Sequence, residues 1–371
     1  MRPVNVIVIG AGIIGAAVAE ELALRGAGVR VFEMRVAGGG ASWASAGLLA
    51  PYTEAQPSSP LLAMGVRSLS MYDDFIARVR ERSGRPVEYA RTGTLEVALT
   101  SESAVRLRSS VDAFAATGAG ARWLNQDDVR RLEPAVTRSI EGAAFVEAHG
   151  FVGVQSLVAA LVQSARLAGA SFETPAQAVA IELEETGVTV IAGERRLFAD
   201  HVVLAAGSWS PRVRINDVPP LPVRPVRGQL LRLGWTASER PGRVVWTDDC
   251  YIVPWSDGTV LVGATSEDVG FDESTTAAGV QGLIAAAIRA LPGASSAELL
   301  DARAGLRPAS ADGLPYIGRR RRTPHVTYAT GHFRNGILLT PLTAAVVASA
   351  VLDGASDDVE QWTSPNRLDA L

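Results

Sequence analysis

Val4-Asn5-Val6-Ile7-Val8-Ile9 runs straight into Gly10-Ala11-Gly12-Ile13-Ile14-Gly15. The first stretch has the composition of a buried strand. Ile14, Val18 and Leu22 then recur at the four-residue spacing of a helix. A second strand-like run, Val29-Arg30-Val31-Phe32, ends in Glu33. Strand, glycine-rich turn, helix, strand, acid is the context in which a GxGxxG sequence binds a dinucleotide. Gly10 permits the tight turn, Gly12 lets the backbone approach a pyrophosphate, and Gly15 lets the helix pack on the strand. The helix N-terminus offers unpaired N–H groups and a partial positive charge to the phosphates. Glu33 is placed to accept hydrogen bonds from an adenosine ribose.

The rest of the composition narrows the class. The chain has 371 residues, 47% hydrophobic and 20% charged, which suits one large globular domain or two. A net charge of −4 gives no attraction for nucleic acid or an anionic membrane. Cys250 is the only cysteine, so no intramolecular disulfide can form, which fits a reducing compartment. None of His149, His201, His325 and His332 has metal-ligand spacing to Cys, Asp or Glu, so no metal site is expected. The nucleotide-binding strand starts within a few residues of Met1, which argues against a cleavable signal peptide. No apolar run approaches the roughly 20 residues of a membrane span. The expectation is a soluble, cytoplasmic protein.

Small residues dominate Gly38-Gly39-Gly40-Ala41-Ser42-Trp43-Ala44-Ser45-Ala46-Gly47, directly after the ribose acid. Such a loop can lie against a flat ring system without side-chain obstruction. The spacing of apolar residues predicts helices over 58–84 and 155–168; 101–117, 279–291 and 340–352 also read as helical, and another helix opens at 125–129. Strands are predicted over 88–99, 178–183, 188–191, 196–198, 223–233, 244–254, 259–264 and 325–330. His201-Val202-Val203-Leu204 reads as a buried strand ending in the turn Ala205-Ala206-Gly207-Ser208-Trp209. Strand–helix–strand character therefore appears at the start, returns near 155–210 and closes the chain after 300. The segments between are strand-rich. This predicts an α/β protein in which a Rossmann-like cofactor domain (1–50, 135–215, 300–371) interleaves with an α+β substrate domain (51–134, 216–299) on a mostly antiparallel sheet.

Four motifs converge on one family. They are the opening glycine turn, Ser45-Ala46-Gly47-Leu48-Leu49, Ala206-Gly207-Ser208-Trp209-Ser210, and a C-terminal block. That block combines Ala304-Gly305-Leu306-Arg307-Pro308 and Asp312-Gly313-Leu314-Pro315-Tyr316-Ile317-Gly318 with Gly331-His332-Phe333-Arg334-Asn335-Gly336-Ile337-Leu338-Leu339. Over essentially its whole length the chain resembles the FAD-dependent amine oxidases, the family of D-amino acid, sarcosine and glycine oxidases. The likeness is strongest to the glycine oxidases of thiamine synthesis, and Cys250-Tyr251-Ile252-Val253-Pro254 belongs to its specific part.

The resemblance implies residue roles. Arg307 matches the arginine that clamps the substrate carboxylate, a task suited to a guanidinium fork. Tyr251 matches a pocket tyrosine reaching the same carboxylate, and Arg334 a residue lining the flavin and substrate region. Gly47, Asp249 and Ser266 fall at the substrate pocket. Asp249 stands where relatives can carry histidine, and Ser266 where they can carry a larger apolar side chain; the smaller serine would widen the pocket beyond glycine. Non-covalent FAD is implied to contact Gly10, Gly12, Ile13, Ile14 and Gly15; Glu33, Met34 and Arg35; and Ala41, Ser42, Ser45, Ala46, Gly47 and Leu48. It is implied to meet Val179 at the adenine, then Ala206, Gly207 and Trp209. The C-terminal return adds Arg307, His332, Arg334, Asn335, Gly336, Ile337 and Leu338.

The implied reaction is oxidation of a small amine or amino acid at its α-carbon, with imine hydrolysis and hydrogen peroxide release to molecular oxygen. No general base stands out, so orientation and electrostatics carry the rate. A D-amino acid or sarcosine oxidase, a dehydrogenase with another electron acceptor, and a non-catalytic FAD-binding subunit remain alternatives. Homo-oligomerisation is left open.

Overall fold

The computed structural model describes residues 2–114 and 117–370. Six strands form a sheet in the order 316–320, 323–330, 201–204, 5–9, 28–32, 171–173. All its pairings are parallel except that of Tyr316–Arg320 with Thr323–Thr330. Parallel neighbours need crossovers; helices pack on one face of this sheet, and the antiparallel strands 178–183, 188–192 and 195–199 cover the other. Ile13–Leu24 packs against Val154–Leu167 and Thr340–Leu352. Ala16, Ala17, Val18, Ala19 and Leu22 of the first helix are fully buried, so that helix is apolar all round, as a core helix should be.

A second sheet has eight strands, in the order 298–309, 224–234, 259–263, 251–254, 244–246, 94–98, 142–146, 121–124. Its pairings are antiparallel apart from Val244–Trp246 against Thr94–Ala98. The chain enters the first sheet, leaves for the second, returns through 171–204, leaves again and ends in the first. The fold is thus the α/β arrangement expected, a Rossmann-like sheet beside a mostly antiparallel one. Two crossings cut across the simple division by segment. Gly142–Val146 is a strand of the eight-stranded sheet, and Pro60–Ser83 packs into the core around the first helix.

Several elements differ from expectation. The helix over 58–84 is two, Pro60–Ser70 and Tyr72–Ser83, because the Met71 amide turns back to Ser68. The run 88–99 splits into Tyr89–Ala90 and Thr94–Ala98, in different sheets, around Gly93 at φ +77°. The run 244–254 is a hairpin, Val244–Trp246 and Tyr251–Pro254, whose turn is held by Thr247 Oγ1 accepting from the Asp249 and Cys250 amides. The helix expected over 101–117 is Ser101–Phe114, and residues 115–116 lie outside the described chain. Arg307 lies within the twelve-residue strand Glu298–Ala309.

No helix among the described residues is long and apolar enough to cross a membrane.

Candidate active site

The opening turn is built as its glycines require. Gly10 has φ +103°, and a Cβ on it would stand 2.5 Å from the Ala205 carbonyl oxygen. A Cβ on Gly15 would lie 1.9 Å from the Gly10 oxygen, so the helix can approach its own turn only without a side chain there. The Ala11 and Arg35 amides donate to the two oxygens of Glu33, at 2.7 and 2.8 Å, fixing the acid at the strand end. Ser42 Oγ accepts from the Ile13 amide at 3.0 Å, which ties the small-residue loop to the helix N-terminus. Gly47, at φ +73°, leaves room for the Val152 carbonyl, and its own oxygen accepts from the Val152 amide at 2.9 Å.

These pieces wall one cleft of about 1680 Å³, solvent at its mouth included. It runs from Gly10, Gly12, Glu33 and Arg35 past Ser42–Leu48 and Ala206–Trp209 to Tyr251, Arg307 and the return His332–Leu338. A narrow slot at a helix N-terminus, an oriented carboxylate beside it and a flat wall of small residues beyond fit the phosphates, ribose and ring system of an adenine dinucleotide. Of the residues singled out in the sequence, the structure gathers all but four on this wall. Gly15 sits beneath the turn. Val179 lies next to Ala178, which does line the cleft. Asp249 faces away, paired with Arg289 at 2.7 Å, and Ser266 is exposed outside the wall.

The end of the cleft at Tyr251 and Arg307 is framed by the eight-stranded sheet. Arg307 donates through Nη1 to the Thr265 carbonyl at 3.0 Å. Burial pushes the Tyr251 phenol up, and the Arg307 cation beside it opposes that shift. The Tyr251 ring covers Gly263, where a Cβ would meet its hydroxyl at 2.5 Å. Both polar heads can therefore face the cleft because the neighbouring strands carry glycine.

Sequence reading missed Glu54, at the end of the short helix Pro51–Glu54. It lines the cleft and pairs with Arg334 at 3.1 Å, with 12% of its side chain exposed against 45% for the arginine. Burial holds its carboxyl above the usual range, with Arg334 and Arg307 opposing. Its position after Ala46-Gly47-Leu48-Leu49 is the one signal that could have found it. Burial lowers the His332 imidazole to about 3, so it is neutral at physiological pH, with Nε2 3.1 Å from Thr343 Oγ1. The return itself is fixed by Ser68 Oγ donating to the Leu338 carbonyl at 2.6 Å and by the Tyr72 hydroxyl on that of Ile337.

Residues 5–350 match the family described as DAO, FAD dependent oxidoreductase. The chain is 33% identical over 348 residues to glycine oxidase of Geobacillus kaustophilus (strain HTA426), covering 94% of this chain and 92% of that one. The crystal structure of glycine oxidase from Geobacillus kaustophilus superposes with a TM-score of 0.91 at 32% identity, over 96% of each chain. Iminodiacetate oxidase from Chelativorans sp. BNC1 superposes with a TM-score of 0.86 at 26% identity, over 97% of this chain and 98% of that one. With the cleft walled as its glycine turn demands, the chain belongs to the DAO family of FAD-dependent oxidoreductases.

Proposed function

We propose that this enzyme oxidises glycine and other small amino acids at the Cα–N bond, giving an imine that hydrolyses to the 2-oxo acid and ammonia. Two electrons and two protons leave the substrate, and molecular oxygen takes them up as hydrogen peroxide. FAD, when bound, supplies the electron relay between the two. The observation that carries the reading is the pairing of Arg307 with Tyr251 on one wall of the cleft. A site that merely binds a dinucleotide has no use for a guanidinium and a phenol facing inward.

The protein's own part is binding and orientation. Arg307 meets the carboxylate with its fork, held by the Thr265 carbonyl, and Tyr251 donates to the same group. Ala46, Gly47 and Leu48 add small and apolar groups to the lining of the same cleft. Glu54 and Arg334 neutralise one another at the cleft wall, so the net attraction for the carboxylate rests on Arg307. The likeness to iminodiacetate oxidase, named for a glycine substituted on nitrogen, supports acceptance of N-substituted glycines. A place in thiamine synthesis fits the same reading.

The six-stranded unit would hold the cofactor and the eight-stranded unit the substrate. The cofactor is non-covalent in this reading, because Cys250 is buried away from the cleft wall and burial pushes its thiol up to about 11. One buried thiol also suits the cytoplasm.

The test is amine-dependent peroxide release from the flavin-loaded protein across glycine, sarcosine, D-alanine and an amine lacking a carboxylate. Turnover of the carboxylated amines supports the reading; turnover of the amine without a carboxylate alone, or of none, rejects it.

A further inference from the structure

The connection 264–276 leaves the eight-stranded sheet at Gly263 and reaches across to the nucleotide end of the cleft before the helix Ala277–Ala290 begins. Its Glu273 takes both terminal nitrogens of Arg35, at 3.0 and 2.6 Å. Arg35 stands two residues after Glu33, and its guanidinium lies 4.6 Å from the centre of the Trp209 ring. Trp209 in turn packs on Phe271, with ring centres 5.7 Å apart, and the Arg212 guanidinium lies 3.6 Å from the centre of the Phe271 ring. Glu273, Arg35, Trp209, Phe271 and Arg212 thus form one chain of contacts. Arg35, Trp209 and Arg212 line the cleft, whereas Phe271 and Glu273 do not.

On its own side the connection is anchored. Arg227, 4% exposed, pairs with Glu267 at 2.6 Å and with Asp272, and the Arg227 and Glu267 backbones bond reciprocally at 2.9 Å. A segment held this way presents Phe271 and Glu273 in fixed positions. Without Glu273, the further acceptor of the Arg35 side chain among the described residues is the Gly39 carbonyl at 3.4 Å, a weak contact. The arginine would then lose its orientation beside the ribose acid.

We propose that Glu273 and Phe271 are positioning residues for the cofactor, acting through Arg35 and Trp209. They pre-order the nucleotide wall, so binding does not have to order it. The inference needs FAD binding, which family membership supplies, and is independent of which amine is oxidised.

The test uses apoprotein reconstituted with FAD, reading affinity and dissociation rate from flavin fluorescence at low and high salt. Glu273→Gln should raise Kd by about threefold to tenfold at low salt, the range of a well-formed partly exposed ion pair, and its gap from the wild type should narrow at high salt, where the pair is screened. Phe271→Ala should raise Kd by about tenfold, and Phe271→Tyr, which keeps the ring, should stay within about twofold of wild type. The melting temperatures of the apoproteins and the absorption spectrum of bound flavin should not move. Unchanged or tighter FAD binding in Glu273→Gln and Phe271→Ala would overturn the proposal. So would apoprotein melting temperatures that fall in step with affinity, which would mark a purely structural role.

Discussion

The guanidinium of Arg307 lies across the bare α-carbon of Gly228, where a Cβ would stand 2.2 Å from Nη2. Gly228 pairs with Gly305, and Arg307 pairs with Val226, so the arginine leans diagonally over the neighbouring strand. Glycine on that strand is what lets the side chain lie flat and keep its bond to the Thr265 carbonyl. Gly228→Ala should push the guanidinium aside and lower kcat/KM for glycine about 10- to 100-fold, a loss of roughly 1.4–2.7 kcal/mol of transition-state binding. FAD content should stay at the wild-type level. Steady-state peroxide assays alongside flavin spectra check both.

The Glu54–Arg334 pair predicts a pH-dependent loss. Removing Arg334 leaves a carboxylate that is 12% exposed without its partner and raises its pKa beyond the elevation that burial already imposes. An acid whose folded pKa is raised stabilises fully below its unfolded pKa, and that stability is lost as pH climbs through the folded value. Arg334→Ala should therefore cost little near pH 4 and about 1–2 kcal/mol near pH 8, a range discounted for the arginine's exposure. Arg334→Ala with Glu54→Gln should recover most of the loss. Thermal melts at saturating FAD across pH decide it, and no recovery in the double variant would contradict the pairing argument.

Glu96 offers a cleaner titration. Burial pushes its carboxyl up from 4.5 to about 7, against the 2.6 Å hydrogen bond from Thr53 Oγ1. The protonated acid is the form the fold prefers, so its contribution is complete below pH 4.5 and disappears as pH rises through 7. Glu96→Gln keeps an acceptor for Thr53 and removes the charge. It should stabilise the protein by about 1–3 kcal/mol near pH 8 and leave stability near pH 4 unchanged. A variant whose melting curve tracks wild type at both pH values would show that Glu96 is solvated.

How legible this was varied with the kind of signal. The opening turn could be read because each glycine answers a local demand, as Gly10 and Gly15 do within a few residues of one another. The helix Thr340–Leu352 matches the expected bounds, although it is buried nearly all round and carries no amphipathic period. Gly142–Val146 went unread because it is buried on both faces and shows no alternation, so nothing in Gly-Ala-Ala-Phe-Val distinguishes it from a loop of small residues. The resemblance places Asp249 at the pocket, at a position where relatives can carry histidine. The turn at 247–250 instead points it toward Arg289, a consequence of the hairpin that the continuous-strand reading hid. Glu54 carries one local signal, its place just after Ala46-Gly47-Leu48-Leu49, because its partner Arg334 is 280 residues away.

The carboxylate clamp is the central claim, and Arg307→Ala tests it most directly. Kinetics are measured on glycine and on an amine of similar size without a carboxylate, using enzyme whose flavin content is verified. Losing one partner of a desolvated charge pair costs about 3–5 kcal/mol, so kcat/KM for glycine should fall by roughly 10²–10⁴. Arg307→Lys should also be impaired, because a point charge cannot reproduce the fork. The amine without a carboxylate should lose far less. An equal loss on both substrates, or near-normal glycine turnover in Arg307→Ala, would contradict the assignment.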